Sequence, residues 1–323
     1  MKYVYILVGS PVGFYFEQTL VSLASLKFVC PSAKITLLVD SDTDKVENSI
    51  LPKIRSYVDE YIVQNFEENI PSVARSRILK TTMRSIVDGN FLYVDSDTVW
   101  ANPVDESIFS EDVMGVLDGH CLLNNHPLKE GIDRDFEQTG CNPSVCSYVN
   151  GGVLFVKDSE KARKFFEIWH DKWLETSKSG YYIDMPSLNY TFKQLYGDDV
   201  PLLPGNYNSQ ISRSWKYFPK AKLVHFFTGW MKDVGEKPYV FQRRAFWKIV
   251  KREGLNNYVV QMLENPLEAF DGPVQLCDDV DCELKKTALY GLVRDMFERK
   301  MLGKKSRFDV VEKMVRKFSS IFF

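Results

Sequence analysis

The chain has 323 residues and a formal net charge of −2, from 41 Lys and Arg against 43 Asp and Glu. Its composition is 45% hydrophobic and 14% aromatic, which excludes disordered, collagen-like and low-complexity classes. The balanced charge argues against a protein that binds nucleic acid over its whole surface, because such proteins are normally basic.

The first hundred residues alternate between apolar runs and segments with helical spacing. Apolar runs predict strands at residues 3–8, 35–39, 60–64 and 91–97. Helices are predicted between them at residues 16–28, 44–57 and 71–87. Because strands that alternate with helices form βαβ units, we expect an α/β fold with a doubly wound, mostly parallel sheet. Ligands bind such sheets at the carboxyl ends of the strands.

The strict alternation stops after residue 97. Further strands are predicted at residues 113–117, 147–156 and 223–227, and further helices at 158–177 and 184–196. We therefore predict one Rossmann-like domain over residues 1–250 and a mainly helical extension over residues 251–323. The turn after the first strand lacks a G-x-G-x-x-G pattern, which disfavours a dinucleotide-dependent dehydrogenase.

The N-terminus has no long apolar core of a signal peptide, and no run of ~18 apolar residues predicts a membrane span. We therefore expect a cytoplasmic protein with reduced cysteines. The pairs Cys141/Cys146 and Cys277/Cys282 are more widely spaced than the usual zinc ligands. Ordinary thiols are the favoured interpretation over a four-cysteine metal site.

The end of the chain is basic, with nine Lys and Arg against four Asp and Glu between Arg294 and Lys317. A predicted helix there has an apolar stripe and basic residues elsewhere on its surface. The stripe is Phe308, Val311, Val315 and Phe318, and the basic residues are Lys313, Arg316 and Lys317. Such a helix suits peripheral contact with an anionic membrane, and packing on the core or a partner is the alternative.

Two acidic residues and one histidine suggest a metal site. Asp95 and Asp97 end an apolar strand, where carboxylates face the ligand cleft, and paired carboxylates suit Mg²⁺ or Mn²⁺. His225 ends the run LVH within the predicted strand at 223–227, and imidazole is a good third ligand for Mn²⁺. The alternatives are capping aspartates at a strand end and an ordinary core histidine.

Four segments in order resemble family 8 glycosyltransferases, which include glycogenin and bacterial lipooligosaccharide galactosyltransferases. They are FLYVDSDTVW at 91–100, YVNGGVLFV at 148–156, DMPSLNYTF at 184–192 and LVHFFTGWMK at 223–232. The resemblance covers about residues 1–235. It implies a GT-A fold, a nucleotide-sugar donor such as a UDP-sugar, and Mn²⁺ as cofactor.

The resemblance also implies roles for individual residues. Asp95, Asp97 and His225 correspond to the metal ligands, with Asp97 also near the donor ribose. Asn150, Gly151 and Gly152 correspond to the loop near donor sugar and acceptor, and Asp184 to the acid that binds donor-sugar hydroxyls. Two alternatives stay open, because the glycines suit a β-bulge and Asp184 suits a helix N-cap.

Basic residues must meet the donor phosphates. Arg77, Lys80 and Arg84 share one helix face, and Arg77 best matches the basic donor residue of the family, with Arg75 as its rival. A solvated basic stripe is the alternative. On the nucleotide side, the predicted donor contacts are Val8, Gly9, Ser10 and Tyr15 after the first strand and Asp40 after the second. Further predicted donor contacts are Ser96 in the acidic motif, Gly229 and Lys232. Lys237 competes with Lys232 as the lysine that binds the diphosphate.

The chain departs from the family at Met185, where many members have Gln. The thioether cannot make a strong hydrogen bond to a reacting sugar. The favoured function is nonetheless metal-dependent transfer of a hexose from a UDP-sugar to a glycan or glycolipid, with the retention that the family implies. The alternatives are a non-catalytic sugar-nucleotide or glycan-binding protein and a sugar nucleotidyltransferase.

Overall fold

A computed structural model describes residues 1–10, 13–141, 145–227, 238–270, 284, 287–301 and 304–322. Its strands are β1 (Lys2–Leu7), β2 (Lys34–Asp40), β3 (Glu60–Gln64), β4 (Phe91–Val94), β5 (Thr98–Trp100), β6 (Val113–Leu117), β7 (Val149–Val156), β8 (Ser209–Gln210) and β9 (Leu223–His225). Its helices are α1 (Tyr15–Val29), α2 (Ser41–Asp44), α3 (Leu51–Tyr57), α4 (Ser72–Ile86), α5 (Lys129–Thr139), α6 (Glu160–Ser177), α7 (Met185–Tyr196), α8 (Arg244–Glu253), α9 (Asn257–Glu264), α10 (Ala288–Met301) and α11 (Phe308–Phe322).

The main sheet has six strands in the order β3-β2-β1-β4-β7-β6. The pairs among β1, β2, β3 and β4 are parallel, and β7 is antiparallel to both β4 and β6. The predicted α/β class with a mostly parallel, mixed sheet is therefore confirmed. Helices cover both faces of the sheet, and this explains why its strands are continuous apolar runs. Tyr3, Tyr5 and Leu7 pack in one apolar cluster with α1, whereas Val4 and Ile6 pack in another with α4 and α6.

A second sheet of three short strands, in the order β5-β9-β8, lies beside the acidic motif. Strand β5 is antiparallel to β9, and β8 is parallel to β9. The sequence analysis missed β5 because three residues are too few to show a period. Its Trp100 is buried, and the indole N–H donates to the Tyr5 hydroxyl at 2.7 Å. This contact ties the small sheet to the main one.

Several predicted boundaries were wrong. The helix predicted at 44–57 is two helices, α2 and α3. Helix α2 starts before residue 44 because the Asp40 carboxylate accepts from the Thr43 N–H at 3.1 Å. The strand predicted at 223–227 ends at His225, and Phe227 takes a left-handed φ of 47°. The strand predicted at 91–97 ends at Val94, where the chain leaves the main sheet.

The described residues form two compact units, Met1–Val274 and Gln275–Phe323. Helices α8 and α9 belong to the first unit and contact α1. The second unit contains α10 and α11, which contact each other. The boundary at residue 250 between the Rossmann-like domain and the helical extension stays a prediction.

Cys141 and Cys146 carry free thiols, and Cys277 and Cys282 lie outside the described residues. Over the described part of the chain, we find no helix with both the length and the apolar character that crossing a bilayer requires.

Candidate functional site

A cavity of about 730 Å³, which we call the main cavity, opens at the carboxyl ends of β1 and β4. Of the residues predicted to bind the donor or a metal, those that line it are Val8, Ser10, Tyr15, Arg77, Asp95, Ser96 and Asp97. Its position matches the rule that α/β sheets bind ligands at the carboxyl ends of their strands.

The two sheets together hold the acidic motif. The Asp95 N–H donates to the Gly152 carbonyl at 2.8 Å, which continues the pairing of β4 with β7. The Asp97 carbonyl accepts from the Phe226 N–H at 3.1 Å, which continues the pairing of β5 with β9. The chain thus passes from one sheet to the other within the motif, and β9 brings His225 beside it.

Asp95, Asp97 and His225 form the acid–histidine cluster, and one ligand atom from each lies within 4.8 Å of the others. His225 Nε2 is 3.0 Å from Asp97 Oδ1. This is about the spacing of adjacent ligands ~2.1 Å from an octahedral ion. Two carboxylates and one imidazole also suit Mn²⁺ in their chemistry. The donor set therefore fits a divalent cation.

Gly152 provides the room for the imidazole. A Cβ at this position would lie 2.4 Å from His225 Cε1 and 2.9 Å from His225 Nδ1. Because no side chain tolerates such contacts, the glycine is required for the ring to lie against β7. The pairing of β6 with β7 shifts register between Gly115 and Val116, which pair with Leu154 and Asn150. A β-bulge, the alternative interpretation of the glycines, is therefore present together with the close approach of His225.

Tyr93 and Lys80 hold the Asp95 carboxylate. The Tyr93 hydroxyl donates to Asp95 Oδ1, and Lys80 Nζ lies 3.5 Å from the same oxygen. Burial and the neighbouring Asp95 charge raise the pKa of Tyr93 well above its usual value. The phenol therefore stays protonated and remains a hydrogen-bond donor.

Asp184 is buried between two cations. Its Oδ1 lies 3.1 Å from Arg77 Nε, and its Oδ2 lies 3.2 Å from Lys80 Nζ. Burial raises the pKa of Asp184, but the two cations outweigh it, so the pKa is lowered overall. Asp184 occupies the N-cap position of α7 without a side-chain capping bond. Its carboxylate is therefore directed at the basic residues of α4 rather than at its own helix.

Asn150 and Gly151 lie behind the cavity wall rather than in the cavity lining. Asn150 is 3% exposed, its Nδ2 donates to Asp118 Oδ1 at 2.8 Å, and its Oδ1 accepts from Gly152 and Asn208. Its side chain is therefore fully used in protein contacts. A Cβ on Gly151 would lie 3.3 Å from Leu188 Cδ2 and 3.4 Å from Lys80 Nζ, so this glycine lies against both α7 and the Lys80 ammonium.

Two other basic residues of α4 have structural partners. Arg75 Nε lies 2.5 Å from the buried carboxylate of Asp40, which explains the acid at the end of β2. Arg84 is 1% exposed and donates to the carbonyls of Val87, Gly89 and Lys157. Neither side chain is part of a solvated stripe, and neither lines the main cavity.

The nucleotide-side predictions divide in the structure. The Gly9 N–H donates to Thr43 Oγ1 at 2.6 Å, so Gly9 packs against α2 instead of lining the main cavity. Gly229, Lys232 and Lys237 lie outside the described residues. Met185 packs beside a small apolar cluster that includes Tyr148. This contact accounts for an apolar side chain at its position.

The sequence analysis missed Arg244 and Lys251, which line the main cavity from α8. They lie in the segment where we predicted the catalytic domain to end. Their spacing of two helical turns was a signal, but basic residues two turns apart are common on solvated helices.

Residues 75–243 match the family described as nucleotide-diphospho-sugar transferase. No curated protein matches the chain. Among solved structures, the chain is similar to a galactosyltransferase, LgtC, in complex with donor and acceptor sugar analogs (15% identity, 70% of this chain, 87% of that chain, TM-score 0.46). It is also similar to apo mouse xyloside xylosyltransferase 1 (11%, 70%, 97%, TM-score 0.46) and to the apo WbbM bifunctional glycosyltransferase (13%, 82%, 51%, TM-score 0.49).

Proposed function

This chain belongs to the nucleotide-diphospho-sugar transferase family and is a glycosyltransferase, and from that premise we propose that it moves a hexose from a UDP-sugar to a glycan or glycolipid. We propose further that the reaction needs Mn²⁺ or Mg²⁺ and retains the anomeric configuration. The observation that carries this proposal is the acid–histidine cluster at the edge of the main cavity.

The cluster suits departure of a nucleoside diphosphate. When bound, a divalent ion would neutralise the charge that develops on the diphosphate oxygens. Asp95 and Asp97 line the main cavity, and His225 lies beside Asp97 with 2% of its surface exposed. Arg77, Arg244 and Lys251 add positive charge to the same cavity, as a dianionic leaving group requires.

We keep Asp184 as the proposed acceptor for donor-sugar hydroxyls, although its side chain is buried and is not part of the described lining of the main cavity. The flanking cations keep the carboxylate ionised, and an ionised carboxylate is a pure hydrogen-bond acceptor. Asp184 is at the same time too strongly paired to be a good nucleophile.

Retention without a protein nucleophile is consistent with the cavity. Within its described lining the carboxylates are Asp95 and Asp97, and both are assigned to the metal. No lining carboxylate is thus left for a covalent intermediate in the described part of the site. We infer that the departing phosphate itself guides the acceptor on the face where it leaves.

The second unit supports a proposal of peripheral contact with the anionic inner face of the membrane. In α11, Val310, Met314 and Val315 are more than half exposed, while Phe308 packs against Phe297 of α10 at a ring distance of 4.8 Å. Exposed apolar residues beside basic ones are the features of an interfacial helix. The test is cosedimentation with phosphatidylserine vesicles, and a Val310→Glu, Met314→Glu double variant should lose binding. Equal sedimentation of variant and wild type would contradict the proposal.

The donor assay tests the proposed function. The full chain is incubated with a panel of nucleotide sugars and Mn²⁺, with and without EDTA, and released nucleoside diphosphate is measured. We expect release with a UDP-hexose, stimulation by an acceptor glycan, and loss of both with EDTA. Activity that survives EDTA would contradict metal dependence, and release of pyrophosphate from a nucleoside triphosphate would favour a nucleotidyltransferase.

The matched variants are Asp97→Ala in the cluster and Asp199→Ala at an exposed position. We expect Asp97→Ala to lose roughly 10³-fold in turnover, the scale of one lost transition-state charge contact, with unchanged thermal unfolding. Asp199→Ala should keep full activity. Wild-type turnover in Asp97→Ala would remove this residue from the mechanism.

A further inference from the structure

A row of buried polar side chains runs behind His225, away from the main cavity. His225 Nδ1 lies 3.0 Å from Asn208 Oδ1, and Asn208 Nδ2 donates to Asn150 Oδ1 at 3.0 Å. Asn150 Nδ2 donates to Asp118 Oδ1 at 2.8 Å, and Asp118 Oδ2 lies 2.9 Å from His126 Nε2. All five residues are buried, with at most 5% of their surface exposed. We call these five residues the histidine relay.

Groups with only one hydrogen-bonding role fix the direction of every bond in the histidine relay. The Gly152 N–H can only donate, and it donates to Asn150 Oδ1 at 2.9 Å. The oxygen of Asn150 must therefore face Gly152, which leaves its amide nitrogen for the Asp118 carboxylate. Asn208 then has to offer its nitrogen to Asn150 and its oxygen to His225. An oxygen acceptor opposite Nδ1 requires that Nδ1 carries the proton.

The far end of the histidine relay is fixed in the same way. The Leu128 N–H donates to His126 Nδ1 at 3.0 Å, so the protonated nitrogen of a neutral His126 is Nε2, which faces Asp118. Burial raises the pKa of Asp118, but hydrogen bonds from His126 and Asn150 outweigh it, and the pKa is lowered overall. The relay therefore ends in a buried carboxylate, whose Oδ1 accepts from Asn150 and whose Oδ2 lies beside His126 Nε2.

The Nδ1–H form of His225 leaves a lone pair on Nε2. That atom faces Asp97 Oδ1 at 3.0 Å, so in the neutral ring two acceptors confront each other, whereas a doubly protonated ring would donate to Asp97. A cation between them makes this arrangement favourable. Neutral imidazole in a defined tautomer is also what a metal ligand requires, and outer hydrogen bonds commonly select that tautomer.

We propose that Asn208 is a positioning residue, which with Asn150 and Asp118 locks His225 as the Nδ1–H tautomer and presents Nε2 to the metal. The functional meaning rests on the proposed metal-dependent activity, but the tautomer itself does not. Asn150, a residue that the resemblance placed near the donor sugar, acts here through His225.

The direct test is nitrogen NMR of the full chain labelled with ¹⁵N-histidine. The chain has four histidines, so the spectrum is simple, and a His225→Gln variant assigns the signals. The metal-free protein is measured at pH 8.5, well above the ordinary pKa of histidine. We expect a protonated Nδ1 and an unprotonated Nε2 for His225. The opposite tautomer, a mixture of the two, or a ring protonated at both nitrogens at this pH would overturn the proposal.

Three variants separate positioning from simple support of the fold. Asn208→Leu removes the acceptor and should give mixed His225 tautomers and Mn²⁺ affinity lower by about 10- to 100-fold. Asn208→Asp keeps an acceptor for Nδ1–H but loses the donor to Asn150 Oδ1, so it should keep the wild-type tautomer at a cost in stability. Asn206→Leu is the matched control, because in the described part of the chain its side chain makes one hydrogen bond, of 3.3 Å, to the Lys220 carbonyl. An unchanged tautomer in folded Asn208→Leu would contradict the proposal.

The two proposals fail in different ways. If the wild type does not bind Mn²⁺, the proposed function is contradicted. The tautomer is measured without metal, so the NMR result still decides this inference. The wild-type spectrum alone can overturn the inference, even if Asn208→Leu does not fold.

Discussion

Lys80 Nζ lies 3.2 Å from Asp184 Oδ2 and 3.5 Å from Asp95 Oδ1. One buried ammonium thus joins the proposed sugar-binding acid of α7 to the proposed metal-binding acid after β4. The cation holds two carboxylates near each other that would otherwise repel.

Lys80→Met should both destabilise the protein and reduce its activity. The variant leaves buried Asp184 with one of its two cations, and breaking a buried ion pair costs about 3 kcal/mol at the lower end of the range. We expect this loss in urea unfolding, together with a higher KM for the donor. Unchanged unfolding would show that Arg77 alone neutralises Asp184.

The stability effect of Asp184→Asn should depend on pH. The folded-state pKa of Asp184 is lowered, so the stability from its ionised form is present above the unfolded value of about 3.9 and is lost as pH falls through the folded value. The variant should therefore be much less stable than wild type at pH 6, and the gap should shrink towards pH 3. Urea unfolding at both pH values measures it, with the exposed Asp199→Asn as control. An equal gap at the two pH values would contradict the ion-pair account.

Gly152→Ala should displace the imidazole of His225. The added Cβ would lie 2.4 Å from Cε1, and overpacking of this kind costs about 1–3 kcal/mol. We expect lower stability and at least about 10-fold weaker Mn²⁺ binding in calorimetric titration. Gly131→Ala is the control, since its Cβ meets nothing closer than 3.9 Å. Wild-type Mn²⁺ affinity in Gly152→Ala would mean that His225 does not bind the metal.

Arg77 and Arg84 should respond differently to the same substitution. Arg84→Met removes charged hydrogen bonds to three carbonyls, worth about 1.5–3 kcal/mol each, and leaves the main cavity untouched. We expect it to lower stability without changing the donor KM. Arg77→Met removes a cation that lines the main cavity and should raise the donor KM. Steady-state kinetics at a temperature where both variants are folded distinguishes them, and a raised KM in Arg84→Met would contradict this division.

The parts of the site that strand order controls were predictable from sequence. An apolar run followed by Asp95 and Asp97 indicated the carboxyl edge of the sheet, where the structure places both residues on the main cavity. His225 was predicted from its place at the end of a second apolar run. These residues lie on or directly after regular strands, and strand periodicity and ligand position follow general rules.

Contacts that depend on tertiary packing were not predictable. Nothing in the pattern around Asn208 indicates that its amide meets both His225 and Asn150, because a polar residue in a short turn is ordinarily solvated. The pairing of Lys80 with Asp184 could not be predicted either. Helical spacing shows which residues share a helix face, but it does not show which other element packs against that face. Strand β5 was missed because three residues show no period and its partner β9 is distant in sequence.

The most direct test of the account is Mn²⁺ binding, measured by electron paramagnetic resonance of the free ion in the presence of UDP. We predict one bound Mn²⁺ per wild-type chain, and loss of this binding in Asp97→Ala but not in Asp199→Ala. Stoichiometric binding that survives in Asp97→Ala, or no binding by the wild type, would contradict the assignment of the acid–histidine cluster as the metal centre of this glycosyltransferase.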